Sequence, residues 1–322
     1  MQKKDFLFIK KQIKKASNIF IMGHKNIDLD AFGASIGLYC YASLNKKKAY
    51  LVIDDVDIER SVETNINYYK NKVNIIKGVS AKKMINEKSL LIIVDTNKKS
   101  LLQNQKILEH FQNIIVIDHH NVGVDAVGGD NVVMLNDTEA SSACEILVKM
   151  LESDNYLLPS DVATTLLAGI VLDTNNFVIR TDVDTYYAAY YLAKCGADSK
   201  EVQYLLKEDI NEYIEMQKVI TEVKVVKKVA ISRGLQTKTY RREDLAKIAD
   251  IILLFKNIEA SFVIGKVENG VGISARSMGE INVGEILEKF GGGGDNHEAA
   301  TIIEDKGLND VVDMVIKKAK KI

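Results

Sequence analysis

The sequence predicts a doubly wound α/β domain followed by a smaller α+β domain. Four continuous apolar runs of strand length alternate with helical patterns in the first two-thirds of the chain, at 19–22, 49–53, 90–94 and 114–117. Strands that are apolar along their whole length are typical of a parallel sheet covered by helices on both faces. The runs at 229–232, 260–266 and 271–275, with helical patterns at 244–255 and from about 308, predict the second domain.

Helical patterns define the remaining organisation. We predict helices over 141–152 and about 160–172, and a further helix that carries Tyr186, Tyr187, Tyr190 and Tyr191. The helical spacing of these tyrosines favours core packing over a platform for stacking bases. The charged segment 201–228 contains no Gly or Pro and predicts a connecting helix. The predicted boundaries are 1–205 for the first domain, 206–228 for a helical linker and 229–322 for the second domain.

Composition excludes several classes of protein. With 47% hydrophobic and 27% charged residues among 322, the chain is globular and not disordered. Its formal net charge of −1 gives no global positive field for long nucleic acid, so a small anionic ligand must be held locally. Cys40, Cys144 and Cys195 lack the spacing of a disulfide framework or a zinc–sulfur site. No apolar run approaches the roughly 20 residues of a membrane span, which predicts a cytoplasmic chain.

Acidic and histidine residues follow three of the predicted strands. His24, Asp28 and Asp30 come after the first run, and Asp95 comes after the run at 90–94. The run at 114–117 is followed by Asp118, His119 and His120, and Asp173 ends an apolar helical stretch. Because ligands bind at the carboxyl ends of the strands in an open parallel sheet, we expect these side chains to share one edge.

The residue types at this edge predict a metal centre. Carboxylates and imidazoles without thiolates suit manganese or magnesium better than structural zinc. Six ligands are too many for one catalytic ion and suit two ions bridged by a carboxylate. Each motif alone has a plainer interpretation, because a His-His pair is often structural and an Asp after a strand is often a helix cap. Their joint placement in one domain is what indicates the metal site.

The order of these motifs resembles the DHH phosphoesterase family along nearly the whole chain. The stretch 23–31 and the segment from Asp173 to Phe177, with Arg180, are most similar to the catalytic portion of the membrane-anchored cyclic-di-AMP phosphodiesterases. The stretch 271–277 and the glycines at 291–294 resemble the DHH-associated C-terminal substrate-binding domain. The cyclic-di-AMP enzymes carry membrane and sensory segments before this portion, so an excerpt of such a protein would be tethered to a membrane.

The resemblance implies specific roles for the clustered residues. One divalent ion would be held by His24, Asp28 and Asp95, and the other by Asp30, Asp95, His119 and Asp173. Asp95 would be the bridge. His120 would face the scissile phosphate as a hydrogen-bond donor, and Asp118 would orient its neighbours. Manganese is the first choice for both ions, with magnesium or cobalt as alternatives.

The resemblance also implies a substrate-binding set: Arg276, Gly291, Gly292, Gly293, Gly294, Ser142 and His297. Plainer interpretations are a surface arginine and a flexible glycine linker. For Ser142 we favour a helix N-cap, with Glu145 completing the capping arrangement. One position departs from the family, because Asp295 follows the four glycines where a histidine is usual, and His297 comes two residues later.

The predicted activity is hydrolysis of cyclic di-AMP to linear 5′-pApA. The first alternative is an oligoribonuclease or dinucleotide phosphodiesterase that acts on pApA and short RNA. A nucleotide-binding regulator with weak catalysis is the alternative from another class. The expected partner in each case is a small cyclic or linear dinucleotide; a homodimer is left open.

Overall fold

The computed structural model describes residues 3–54, 58, 60–207 and 209–321. Residues 1, 2, 55–57, 59, 208 and 322 of the predicted domains and linker lie outside the described residues. The chain divides into two compact units, Met1–Lys207 and Glu208–Ile322. The boundaries at 205 and 228 stay predictions.

The N-terminal unit is built on a six-stranded sheet in which every strand pair is parallel. Its strands run in the order β3-β2-β1-β4-β5-β6. They are β1 Asn18–Met22, β2 Lys48–Val52, β3 Ile75–Ile76, β4 Leu90–Val94, β5 Asn113–Asp118 and β6 Val132–Asn136. The predicted doubly wound sheet is confirmed. The two edge strands, β3 and β6, were not predicted.

Helices pack on this sheet, and two of them, α2 and α6, approach each other closely. They are α1 Lys3–Lys15, α2 Leu29–Leu44, α3 Arg60–Tyr69, α4 Gly78–Lys82, α5 Ala143–Glu152, α6 Ser160–Asp173, α7 Val183–Lys194 and α8 Ser199–Leu205, with 3₁₀ turns at Lys99–Leu101 and Gln105–His110. The start of α2 packs closely on α6 because Gly169 has no side chain. A Cβ there would lie 2.9 Å from the Cα of Asp30. This close approach brings the end of α6 near the start of α2.

The C-terminal unit is a mixed α+β fold. Its strands run in the order β11-β12-β10-β9-β8-β7, and only β8 and β9 pair in parallel. They are β7 Lys224–Val226, β8 Val229–Arg233, β9 Ala260–Val267, β10 Gly270–Ser277, β11 Gly293–Gly294 and β12 Glu298–Ile303. The helices are α9 Ile210–Ile220, α10 Arg242–Leu253, α11 Val283–Glu288 and α12 Leu308–Ala319.

The segment 201–228 is not one continuous helix, so that prediction is wrong. α8 ends at Leu205, and Asp209 starts α9 by accepting hydrogen bonds from the amides of Asn211 and Glu212. Beyond α9, Lys227 has a left-handed φ of 55° that reverses the chain between β7 and β8. Met216 and Val219 of α9 are buried in a hydrophobic cluster of the C-terminal unit. The N-cap at Asp209 and the left-handed turn at Lys227 therefore interrupt the helical pattern of this charged segment.

The expectation of core packing for four tyrosines holds for one of them. Tyr191 is buried, whereas Tyr186, Tyr187 and Tyr190 are 49% to 61% exposed. The ring of Tyr186 stacks on that of Phe177, 5.6 Å between centroids. Four tyrosines at 186, 187, 190 and 191 span more of the helix circumference than one buried face can hold.

Among the described residues, no helix combines the length and apolar character needed to cross a bilayer.

Candidate metal centre

The loop after β1 brings His24, Asp28 and Asp30 to the edge of the sheet. Asp28 caps α2, since its Oδ1 accepts hydrogen bonds from the amides of Asp30 and Ala31 at 2.9 Å each. Its other oxygen, Oδ2, lies 3.5 Å from Nε2 of His24. The Nδ1 atom of His24 is 2.7 Å from the carbonyl oxygen of Lys25, which leaves Nε2 to face the carboxylates.

Asp95 lies between two histidines at the end of β4. Its backbone has a left-handed φ of 58°, and its amide donates to the carbonyl of Ile117 on β5 at 3.0 Å. One carboxylate oxygen is 3.3 Å from Nε2 of His24, and the other is 3.1 Å from Nε2 of His119. Asp95 is 3% exposed, so its charge is held in the interior. This placement suits a carboxylate shared by two neighbouring ions.

Asp30, His119 and Asp173 meet on the far side of Asp95. Nε2 of His119 is 3.3 Å from Asp173 Oδ2 and 4.0 Å from Asp30 Oδ2. The amides of Ala143 and Cys144, in the first turn of α5, donate to the two oxygens of Asp30 at 2.7 and 2.8 Å. The N-terminus of a helix carries a partial positive charge, which favours an ionised Asp30. Four elements, β5, α2, α5 and α6, thus fix this group.

The six predicted ligands form two groups whose ligand atoms lie within 4.8 Å of one another: His24, Asp28 and Asp95, and Asp30, His119 and Asp173. Asp95, Asp118, His119 and His120 form a third group by the same criterion. The sequence motifs converge on one edge of the sheet, as expected. Whether these residues bind metal stays a prediction.

Electrostatics at this edge favours a cation. Burial, and next the charge of Asp95, raise the pKa of Asp30 to about 7. Burial also raises the pKa of Asp173 well above its ordinary value, and the charge of Asp30 adds to the effect. Burial opposes ionisation of Asp95 as well, but hydrogen bonds from His119 and His24 hold its pKa below the ordinary value. Crowded carboxylates with raised pKa values fit a site that binds positive charge.

Asp118 supports His119 and His120 rather than facing the two groups of ligands. Its Oδ1 accepts from the amide of His119 at 2.9 Å and lies 2.8 Å from Nδ1 of His120. Burial acts to lower the pKa of His120, but the hydrogen bond with Asp118 raises it to about 9. The His120 side chain is 50% exposed, so a ring donor is open to a ligand.

Ser142 has the helix-capping role that we favoured. Its hydroxyl accepts from the amide of Glu145 at 3.0 Å, and its side chain is fully buried. The carboxylate of Glu145 in turn accepts from the amide and hydroxyl of Ser141, at 3.2 and 2.6 Å. Ser142 is thus a buried helix cap, and its contact with a substrate stays a prediction.

In the C-terminal unit, Arg276 is held by acidic neighbours. Its Nε donates to Asp250 Oδ1 at 2.8 Å, its Nη2 lies 3.7 Å from Glu298 Oε2, and its side chain is 13% exposed. Arg276 is thus not a free surface arginine. Its positive charge is already matched by carboxylates on α10 and β12.

The glycine segment forms structure and is not a free linker. Gly293 and Gly294 are β11, which pairs with β12. A Cβ on Gly294 would lie 2.1 Å from the carbonyl oxygen of Glu298, so only glycine fits there. Gly291 has a left-handed φ of 80°, and Gly292 packs on Thr301.

The departure at Asp295 also has a structural consequence. Oδ1 of Asp295 accepts from the amides of His297 and Glu298, both at 2.8 Å, and so closes a turn. His297 Nδ1 lies 3.2 Å from the carbonyl oxygen of Ser277. His297 therefore lies against the C-terminal end of β10, whose last two residues are Arg276 and Ser277.

Three residues near the metal centre were given no role by the sequence. Asn97 donates to Asp118 at 2.6 Å, and Gln103 donates to the carbonyl of His24 at 2.7 Å. The positive charge of Arg180 acts to lower the pKa values of both Asp173 and His120. Asn97 and Gln103 lie close after Asp95 along the chain, but uncharged residues in a loop give no sequence signal of their own.

Known proteins agree with this architecture. Residues 18–170 match the DHH family, N-terminal domain, and residues 224–321 match the DHHA1 domain. The chain is 36% identical over 301 residues to the cyclic-di-AMP phosphodiesterase PdeA of Listeria monocytogenes, an alignment that covers 91% of this chain and 46% of PdeA. It thus spans about half the length of the curated relatives it matches first.

Two further similarities cover whole chains. The bifunctional oligoribonuclease and PAP phosphatase NrnA of Mycoplasma genitalium is 28% identical over 322 residues, which cover 95% of each chain. An exopolyphosphatase-related protein from Bacteroides fragilis has the same fold, with a TM-score of 0.83 at 19% identity over 99% of this chain and 96% of its own. From these matches and its two-unit architecture, the chain belongs to the DHH family, with a DHH domain followed by a DHHA1 domain.

Proposed function

We propose that the chain is a phosphodiesterase that uses two divalent ions, manganese first, to hydrolyse cyclic di-AMP to linear 5′-pApA. The observation that supports this most is the placement of Asp95, whose two oxygens separately face His24 and His119. The substrate rests on similarity to relatives named as cyclic-di-AMP phosphodiesterases, of which the chain spans about half.

The donor set fits such ions. His24, Asp28 and Asp95 would hold one, and Asp30, Asp95, His119 and Asp173 the other. When bound, the ions would supply a water of lowered pKa as nucleophile and would neutralise charge on the phosphoryl oxygens. Hard carboxylate oxygens with imidazole nitrogens and no thiolate suit manganese or magnesium.

The chain's own residues would orient the substrate around this centre. His120, half exposed and anchored through Nδ1 to Asp118, would donate from its ring to a phosphoryl oxygen. Hydrolysis adds one water oxygen to phosphorus and breaks the bond from phosphorus to the 3′ oxygen, which leaves with a proton. The product then carries a 5′-phosphate and a free 3′-hydroxyl, as in 5′-pApA.

The C-terminal unit would bind the rest of the dinucleotide. We propose that Arg276 contacts the second phosphate and that the backbone of Gly291, Gly292, Gly293 and Gly294 approaches the substrate, with His297 nearby. The pairing of Arg276 with Asp250 and Glu298 fixes the direction of its guanidinium group and reduces its free positive charge.

A second candidate is hydrolysis of linear dinucleotides such as pApA and of short RNA. The similarity to the bifunctional oligoribonuclease and PAP phosphatase NrnA of Mycoplasma genitalium, which covers 95% of each chain, supports it. Both reactions would use the same centre, and they differ in how the substrate is held.

Product analysis separates these candidates. The chain, loaded with manganese, would be incubated with cyclic di-AMP, cyclic di-GMP and pApA side by side, and products identified by chromatography and mass spectrometry. We expect pApA as the first product from cyclic di-AMP, with one oxygen of ¹⁸O-labelled water in its 5′-phosphate. Consumption of pApA alone would reject the leading choice. Nucleotide binding without any turnover would instead support a regulator.

A further inference from the structure

We propose that Asn97 is a positioning residue for the reaction, one that fixes Asp118 and the main chain of His120 so that the His120 ring points at the substrate. This inference rests on the proposed phosphodiesterase activity. Asn97 lies two residues after Asp95 and is fully buried. Its side chain has no ionisable group.

The amide of Asn97 serves three acceptors. Its Nδ2 donates to Asp118 Oδ2 at 2.6 Å and to the carbonyl oxygens of His120 at 3.2 Å and Asn121 at 3.4 Å. A carboxylate and two carbonyls only accept hydrogen bonds, so the nitrogen and not the oxygen of the amide must face them. One side chain thereby links the buried carboxylate to the backbone that carries the reactive imidazole.

The two carboxylate oxygens of Asp118 have different hydrogen-bond donors, and Oδ2 relies on Asn97. Oδ1 takes the amides of His119 and His120 and contacts His120 Nδ1 at 2.8 Å. Among the described residues, Oδ2 has the Asn97 amide as its donor. Loss of that donor would leave a buried anionic oxygen unpaired, and the carboxylate would turn to find another donor. The His120 ring, held through Oδ1, would turn with it.

The nitrogen and the oxygen of the Asn97 side-chain amide have different surroundings. Within the described part of the chain, its Oδ1 is buried without a hydrogen-bond partner. The Oδ1 atom of Asn136 is likewise buried without a partner, so this feature alone does not mark a functional residue. The amide nitrogen of Asn97 thus faces three acceptors. The amide oxygen has no donor among the described residues.

Asn136 offers a matched comparison. Its Nδ2 donates to the same carbonyl of His120 at 2.8 Å. Asn136 pairs with Asp118 through the backbone of β5 and β6, but among the described residues no side-chain hydrogen bond from Asn136 to Asp118 is seen. If support of the His120 carbonyl is what matters, Asn136→Ala and Asn97→Ala should have similar effects. If the Asp118 contact matters, as we propose, only Asn97→Ala should slow turnover strongly.

The test is a double-mutant cycle on the full chain, with Asn97→Ala, His120→Ala, their combination and Asn136→Ala. We expect Asn97→Ala to lower kcat about 10- to 100-fold, the value of one hydrogen bond to a charged group. KM and the manganese dissociation constant from calorimetry should change less than about threefold, and so should kcat of Asn136→Ala. The combined variant should be no slower than His120→Ala, because both changes remove the same interaction.

Several results would overturn the proposal. These are multiplied losses in the combined variant, equal losses in Asn97→Ala and Asn136→Ala, or a loss explained by weaker manganese binding. If Asn97→Ala does not fold, Asn97→Ser, whose shorter side chain places its hydroxyl farther from Asp118 Oδ2, is taken through the same cycle with the same criteria. A wild-type chain that turns over neither cyclic di-AMP nor pApA would instead reject the proposed function, so the two failures are distinct.

Discussion

The candidate metal centre of the N-terminal unit and the surroundings of Arg276 in the C-terminal unit balance their charges in opposite ways. Around Asp95, four carboxylates share two imidazoles, and burial raises the pKa values of Asp30 and Asp173. Around Arg276, one cation faces two carboxylates, Asp250 and Glu298, within 4 Å. Added positive charge would favour ionisation of Asp30 and Asp173, whereas the charge of Arg276 already has carboxylate partners. Under the proposed function, the first region would carry the chemistry and the second would contribute to the choice of substrate.

The comparison predicts the largest effect for Asp95→Asn. This change keeps the shape of the side chain but removes the charge shared by both groups of ligands. We expect kcat with manganese to fall by more than about 10³-fold, since each ion contributes several kcal/mol to the transition state. Initial rates on cyclic di-AMP measure the loss. Asp137→Asn, a change at an acidic residue outside the three ligand groups, is the control and should stay close to wild type.

Arg276→Ala should act on binding rather than on chemistry. Loss of a charge-assisted contact with a phosphate is expected to raise KM for cyclic di-AMP about 10- to 100-fold with little change in kcat. Steady-state kinetics provides both values. Arg233→Ala, a change on β8 of the same unit, removes a contact with Asn309 and should leave KM within about twofold. A fall in kcat without a rise in KM would contradict the division of roles between the two units.

The smallest predicted effect is at Asp295. Asp295→Asn keeps a side-chain oxygen that can accept from the amides of His297 and Glu298, so the turn should persist. It removes a negative charge near the glycine segment, and KM should fall about two- to fivefold, a size expected for a partly exposed charge. An unchanged KM at low and high salt would show that Asp295 does not repel the substrate.

How much the sequence predicted depends on whether a feature is local. β1 and β4 were predicted to within one residue because a strand buried on both faces is apolar along its whole length. β3 has two residues and β6 is only partly buried, so neither carries that pattern. The single connecting helix failed because a cap at Asp209 and a left-handed Lys227 are small local signals within a charged stretch.

The candidate site shows the same division. His24, Asp95 and His119 were found because chemically distinctive residues follow strands, and the carboxyl ends of parallel strands meet at one edge. Asn97 was not found, because its proposed role rests on contacts with Asp118 and His120, more than 20 residues away. The pairing of Arg276 with Asp250 and Glu298 joins β10, α10 and β12, and nothing in the spacing of these residues predicts it.

The number of manganese ions bound per chain tests the central claim most directly. The metal-free chain would be titrated with manganese in a calorimeter, and bound metal measured independently by elemental analysis after gel filtration. We predict two ions per chain for wild type and for Arg276→Ala, and fewer than two for Asp95→Asn. One ion or none bound to the wild-type chain, or two ions retained by Asp95→Asn with unchanged affinity, would contradict a two-ion centre that shares Asp95.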